Sequence, residues 1–140
     1  MTPKIIHSSE GQVLMGGRQT IKLTAEDTGE KMSVMYSVVP AGSGIPVHVH
    51  SLEDETFEIT EGELEVTIAD EVQVLKKGDI IFMPKNIPHG FKAITDTSMW
   101  VTFVPGGAEK MFEELAALPP GTPDVEKISA IAEQYQIKFI

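Results

Sequence analysis

Three histidines and one glutamate, His48, His50, Glu55 and His89, stand at spacings that suit a single metal ion. His48 and His50 are two residues apart, so on an extended strand both imidazoles leave the same face and can reach one ion together. Glu55 follows at an odd offset, which would put it on the other face if the strand ran on straight. The polar stretch Ser51-Leu52-Glu53-Asp54 allows a turn, after which Thr56 to Thr60 reads as a new strand with Glu55 at its start. His89 follows Pro88, whose fixed backbone can aim the ring back at the ion. Imidazoles with one carboxylate suit one divalent transition metal ion per chain: Fe(II), Mn(II), Ni(II), Cu(II) or Zn(II). Cysteine is absent, which excludes a thiolate site, a disulfide or a redox thiol. A metal that prefers five or six ligands keeps one or two positions for water, dioxygen or a substrate oxygen. A lone buried histidine is more often satisfied by hydrogen bonds than by metal, but four donors in register favour the ion.

Short strands must position these donors. Met32 to Val39 alternates, with Met32, Val34, Tyr36 and Val38 on one face and Ser33, Met35, Ser37 and Val39 on the other; either could face inward. Leu64, Val66 and Ile68 alternate with Glu63, Glu65 and Thr67, a half-buried pattern that places Glu58, Glu63 and Glu65 in solvent. Val72 to Leu75, Ile80 to Met83 and Met99 to Val104 read as further strands between polar turns, and the repeated spacing predicts a closed antiparallel β architecture. By parity Phe91 and Ala93 share the face of His89, and Phe57 and Ile59 that of Glu55, so these line one apolar interior. Met35 and Trp100 join Phe57, Ile59 and Phe91 as candidates for a substrate pocket, with the direction of Trp100 open.

Residues 1 to 23 look like edge strands around Gly16-Gly17. They carry His7, expected away from the metal, and Arg18, the one arginine, expected at the surface. Past Pro105-Gly106-Gly107, Ala108, Met111, Phe112, Leu115 and Leu118 form a helical stripe that should cover the strands. Thr122 is the expected cap of a second helix, with Pro123 in its first turn and Val125, Ile128, Ile131, Ala132 and Tyr135 along one face. Ile137, Phe139 and Ile140 form an apolar tail, from which a homodimer is expected.

Two stretches together carry a family resemblance. Gly42-(x)5-His48-x-His50-(x)4-Glu55-(x)6-Gly62, followed by Gly78-(x)5-Pro84-(x)4-His89, resembles the paired motifs of the cupins, with 15 residues between Gly62 and Gly78. The first motif matches at every fixed position; in the second, Asn86 stands where the family carries glycine and Ala93 where it carries asparagine. HVHSLEDETFEITEGELEV and AEKMFEEL are further similar to single-domain bacterial cupins named loosely after quercetin dioxygenase. The resemblance implies an all-β fold, a small antiparallel jelly-roll barrel with C-terminal helices. It implies His48, His50, Glu55 and His89 as metal ligands, with Glu55 also the candidate catalytic base. Dioxygenase-like chemistry on a small organic molecule is the activity it favours. A non-catalytic binding or sensing module, or an oxygen-independent isomerase or decarboxylase, is the alternative.

With 140 residues the chain should form one domain over 1–140, a barrel core at about 30–105 and a helical C-terminal extension at about 108–140. A net charge of −10, from 21 acidic against 11 basic residues, argues against nucleic acid and anionic membrane surfaces as partners. No stretch approaches the ~20 apolar residues that span a bilayer, and no secretory leader is apparent, so a cytoplasmic location is expected. The predicted lining lacks lysine and arginine, which argues against sugar phosphates.

Overall fold

Alternation of apolar and polar residues along short segments broken by glycine and acidic turns produces eleven strands and two helices in the computed structural model, which describes residues 1–140. The strands are β1 (Gln12–Leu14), β2 (Gln19–Leu23), β3 (Ser33–Val39), β4 (Gly44–His50), β5 (Asp54–Glu61) and β6 (Glu63–Ile68). They continue with β7 (Glu71–Lys76), β8 (Ile80–Met83), β9 (His89–Ala93), β10 (Thr97–Val104) and β11 (Ile137–Phe139). The helices α1 (Glu109–Ala116) and α2 (Val125–Gln134) lie between β10 and β11.

Every strand pairing is antiparallel. One sheet has the order β1-β2-β3-β10-β5-β8 and the other β11-β4-β9-β6-β7. Their alternation between sheets is a jelly-roll arrangement, but the sheets do not join by hydrogen bonds into the closed barrel that the strand spacing predicts. Side chains hold them together instead. Met35, Phe57, Ile59, Leu64, Val66, Met83, Met99, Val101 and Phe103 form the buried core between the two layers. The face of β3 that turns inward carries Ser33, Met35, Ser37 and Val39.

Two turns use special backbone conformations. Gly62 has φ 86°, and a Cβ there would lie 2.1 Å from the Asp96 carbonyl oxygen, so the β5–β6 turn needs glycine for both conformation and space. Asn86 has φ 68°, a left-handed conformation that asparagine tolerates better than most residues, so the departure from glycine keeps the turn. Its N–H donates to the His50 carbonyl at 2.7 Å, tying the loop before β9 to the end of β4.

The terminal segments depart from expectation in three ways. Strands β1 and β2 form the expected edge at residues 1 to 23, whereas β11 is a strand within the stretch expected to be helical, so the second sheet recruits residues beyond 105. Asp124, not Thr122, caps α2: its carboxylate accepts the Lys127 N–H at 3.1 Å, as an N-cap acid does for an otherwise unpaired donor. The apolar tail is the third departure. Ile137–Phe139 pairs with β4 of its own chain, Ile137 opposite His50 and Phe139 opposite His48.

Candidate metal centre

The two sheets meet at one end of the sandwich around four ionisable side chains. His48 and His50 project inward from β4 with the two-residue periodicity of a strand, and His89 opens β9, where it pairs directly with His48. Glu55 comes from β5 in the opposite sheet, after the Ser51–Glu53 turn has reset its parity. All four are buried, and one donor atom from each lies within 4.8 Å of every other. The imidazole centroids are 4.5 Å apart for His48 and His89, 5.0 Å for His48 and His50, and 5.3 Å for the stacked pair His50 and His89.

The outer nitrogen of each ring faces an acceptor. His48 Nδ1 lies 2.8 Å from the Pro46 carbonyl, His89 Nδ1 3.2 Å from the Ile87 carbonyl, and His50 Nδ1 2.6 Å from Glu53 Oε1. A carbonyl or carboxylate can only accept, so at His48 and His50 these contacts favour a proton on Nδ1 and turn Nε2 toward the cluster, whereas His89 meets an acceptor on both sides, the Ile87 carbonyl at Nδ1 and the Glu55 carboxylate at Nε2. Glu55 Oε1 sits 3.0 Å from His89 Nε2 and 3.5 Å from His50 Nε2. Nitrogen lone pairs and a carboxylate converging in a buried space repel one another unless a proton or a metal cation lies between them. The donor chemistry fits a divalent ion held by nitrogen and oxygen, with each histidine oriented from behind.

Burial, reinforced by the neighbouring His89 and His50 rings, holds His48 down to about 4 despite the opposing Pro46 carbonyl and Glu55 charge. This ring is neutral at pH 7, as a ligand must be. Burial also opposes charge on His50, but the Glu53 hydrogen bond and the Glu55 and Glu53 carboxylates outweigh it and raise its pKa.

A cavity of about 650 Å³ opens from this cluster. His48, His50, Glu55 and Phe91 line its inner end; Phe103, Ile137 and Phe139 continue the wall, and Met111, Phe112, Leu115, Ile128, Ser129 and Ala132 roof it from α1 and α2. Of the pocket residues expected from sequence, Phe91 is in this lining. Phe57 and Ile59 face inward as their parity predicts, and so does Met35, whose face the alternation left open, but all three pack in the core and do not line the cavity. Trp100 lies on the opposite face of β10 from the buried Met99 and Val101, edge-on to Tyr36 at 4.7 Å, and does not line the cavity either. His7 lies outside the cluster and Arg18 is exposed, as expected. A separate recess of about 350 Å³ lies between the 118–124 linker and α2.

The sequence pattern missed two groups of residues around the site. Glu53, read as part of a polar turn, is 4% exposed and holds His50; it stands in a run of acids with half-buried Asp54 and the buried candidate ligand Glu55, and nothing in that run sets it apart. Ile137 and Phe139, read as an external tail, enclose the site because β11 completes the ligand-bearing sheet.

Residues 35–105 match the cupin domain model, including all four candidate ligands. The chain belongs to the cupin family. Over 107 residues this cupin is 27% identical to quercetin 2,3-dioxygenase of Bacillus subtilis (strain 168), covering 75% of the chain but only 32% of that enzyme. The chain spans well under two thirds of the length of the curated relatives it matches. An RmlC-like cupin from Shewanella frigidimarina superposes with a TM-score of 0.67 at 18% identity, over 78% of this chain and 96% of that one. A predicted oxalate decarboxylase from Thermotoga maritima gives 0.63 at 20% identity, over 73% of this chain and 99% of that one. At such identities the two structures establish the shared fold.

Proposed function

We propose that this cupin is a metal-dependent enzyme acting on a small organic molecule, with His48, His50, Glu55 and His89 holding one divalent transition metal ion. The observation that carries the reading is the convergence of four buried donors whose three imidazoles are each tied through Nδ1. A bound ion of this class would polarise a substrate oxygen or activate dioxygen. Similarity to a quercetin dioxygenase favours the dioxygenase-like alternative. Glu55 is the one carboxylate that lines the cavity, which makes it the group able to take a proton from a bound substrate. The apolar walls exclude water from that end of the cavity and hold the substrate against the cluster.

The same observation leaves room for a second reading. The lining offers no acid or base beyond the candidate ligands themselves, as in a barrel that binds or senses a metabolite, or isomerises or decarboxylates without oxygen. Metal analysis by mass spectrometry on untagged protein, with His48→Ala as control, is the test. We expect close to one ion per chain in the wild type and none in the variant. Oxygen uptake with catechols, flavonols and diketones then separates dioxygenase from sensor, and product analysis under nitrogen identifies isomerisation or decarboxylation. Absence of metal after reconstitution would overturn the reading.

The proposal extends to a single domain over 1–140, acting in the cytoplasm as a homodimer. No helix is long and apolar enough to cross a membrane. Cell fractionation checks the location.

A further inference from the structure

The cupin domain match ends at residue 105, yet much of the cavity wall comes from beyond it. Met111, Phe112 and Leu115 of α1, Ile128 and Ala132 of α2, and Phe139 of β11 are apolar residues that the matched domain does not contain. They are continuous with the candidate metal centre. Phe139 lies 5.8 Å from His48 between ring centroids, and a run of aromatic rings leads outward, Phe103 being 5.9 Å from His50 and Phe112 6.3 Å from Phe103. Among the 18 lining residues the polar side chains are His48, His50 and Glu55 at the inner end and Ser129 on α2; none is lysine or arginine.

This division is chemical as well as spatial. The inner end can engage oxygens through a bound ion, whereas the outer arm offers neither a cation for phosphate, sulfate or a second carboxylate nor enough hydrogen-bonding groups for a sugar. About 650 Å³ exceeds what a chelating head alone would fill and lies in the range of sites that take drug-sized molecules. Resting on the metal-centre reading, we propose that the C-terminal segment 108–139 is the specificity element of this site. Its ligand is an uncharged molecule with a two-oxygen chelating head and an extended apolar body lying between α1, α2 and β11.

The test uses zinc-loaded protein, which is redox-inert, and a series of 4-n-alkylcatechols from methyl to octyl, with affinity read by calorimetry. Affinity should rise about fourfold per added methylene, the transfer free energy of one buried CH2, until the arm is full, and then level off. A catechol bearing a sulfonate in place of the alkyl chain should bind more weakly than methylcatechol. Ile128→Glu should flatten the chain-length dependence while zinc content stays at one per chain, and Leu115→Gln, from the facing helix, serves if the first variant does not fold. Chain-length-independent affinity in the wild type, or an unchanged slope in a folded variant, overturns the proposal.

Failure of the metal reading is distinguishable. If the wild type takes no zinc, the uncharged dye Nile red is titrated against wild type and variant. Binding to the wild type alone retains the apolar arm and removes the chelating head; equal binding, or none, overturns the arm as well.

Discussion

Glu53 illustrates how one side chain can govern a site it does not enter. Its carboxylate holds His50 Nδ1 at 2.6 Å in a pocket where both residues are nearly fully buried, so it fixes the ring and makes Nε2 a better donor. Glu53→Gln retains an acceptor of the same shape without the charge. We expect it to fold and to lose metal affinity about 10- to 100-fold, the usual cost of removing such a partner. A competitive chelator titration measures this; unchanged affinity would show that ring orientation alone suffices. The four candidate ligands were legible because spacing and parity constrain them directly. Glu53 was not legible, since among acids in a turn nothing local marks the one that folds inward.

At the scale of elements, the connection between α1 and the strands rests on another buried acid. Glu109 is fully buried, and its two carboxylate oxygens accept from the Ala25 N–H at 2.7 Å and the Gly107 N–H at 2.8 Å. Both partners are donors, so an amide cannot satisfy both: its NH2 group would face an N–H. Glu109→Gln should therefore destabilise nearly as much as Glu109→Ala, by about 2–3 kcal/mol in urea unfolding. Near-neutral behaviour of the glutamine variant would contradict this pairing. The two helices are also joined by the Tyr135 hydroxyl, which donates to the Glu114 carboxylate. That bond, with burial and the nearby acidic charges adding, pushes Tyr135 up to about 12 from 10.0. A raised pKa means that the folded state retains the proton. The contribution is present below pH 10 and lost as pH rises from 10 to about 12, and Tyr135→Phe should remove that part of the alkaline decline in melting temperature.

Sequence periodicity made most strands and both helices legible, but not how they join. The Ile137–Phe139 segment shows why: an apolar run of three residues reads the same whether it meets another copy or its own chain, and only the tertiary position of β4 decides. Trp100 and Met35 were ambiguous for a related reason. Alternation separates a strand's two faces, but it says neither which of them turns inward nor how far along the inward face the core ends and the cavity begins.

Across the whole molecule, the candidate centre draws three ligands from one sheet and one from the other. An ion bound there would link the two sheets and stabilise the folded state by mass action, about 2.7 kcal/mol at a free concentration one hundred times Kd. Metal addition should therefore raise the melting temperature of the wild type, a chelator should reverse the rise, and His50→Ala should respond to neither. The proposed homodimer needs a different surface from the tail, which is committed internally. On β8, an edge strand, Ile80 is 67% and Phe82 58% exposed, and a second copy covering them would remove apolar surface that a monomer leaves in water. Light scattering at micromolar concentration should give twice the chain mass, and Phe82→Lys should reduce it; a wild-type monomer would count against the assembly.

The pairing of β11 with β4 also bears on how the site is made in time. Residues 48 and 50 leave the ribosome long before residues 137 and 139, which pair beside them. During synthesis the ligand-bearing strand has an open edge, and its histidines lack the cover of Phe139, until the C-terminal strand has emerged and docked. A nascent chain stalled before residue 137 would thus expose its chelating residues to whichever metal the surroundings supply, whereas once β11 has paired with β4, Phe139 lies beside His48.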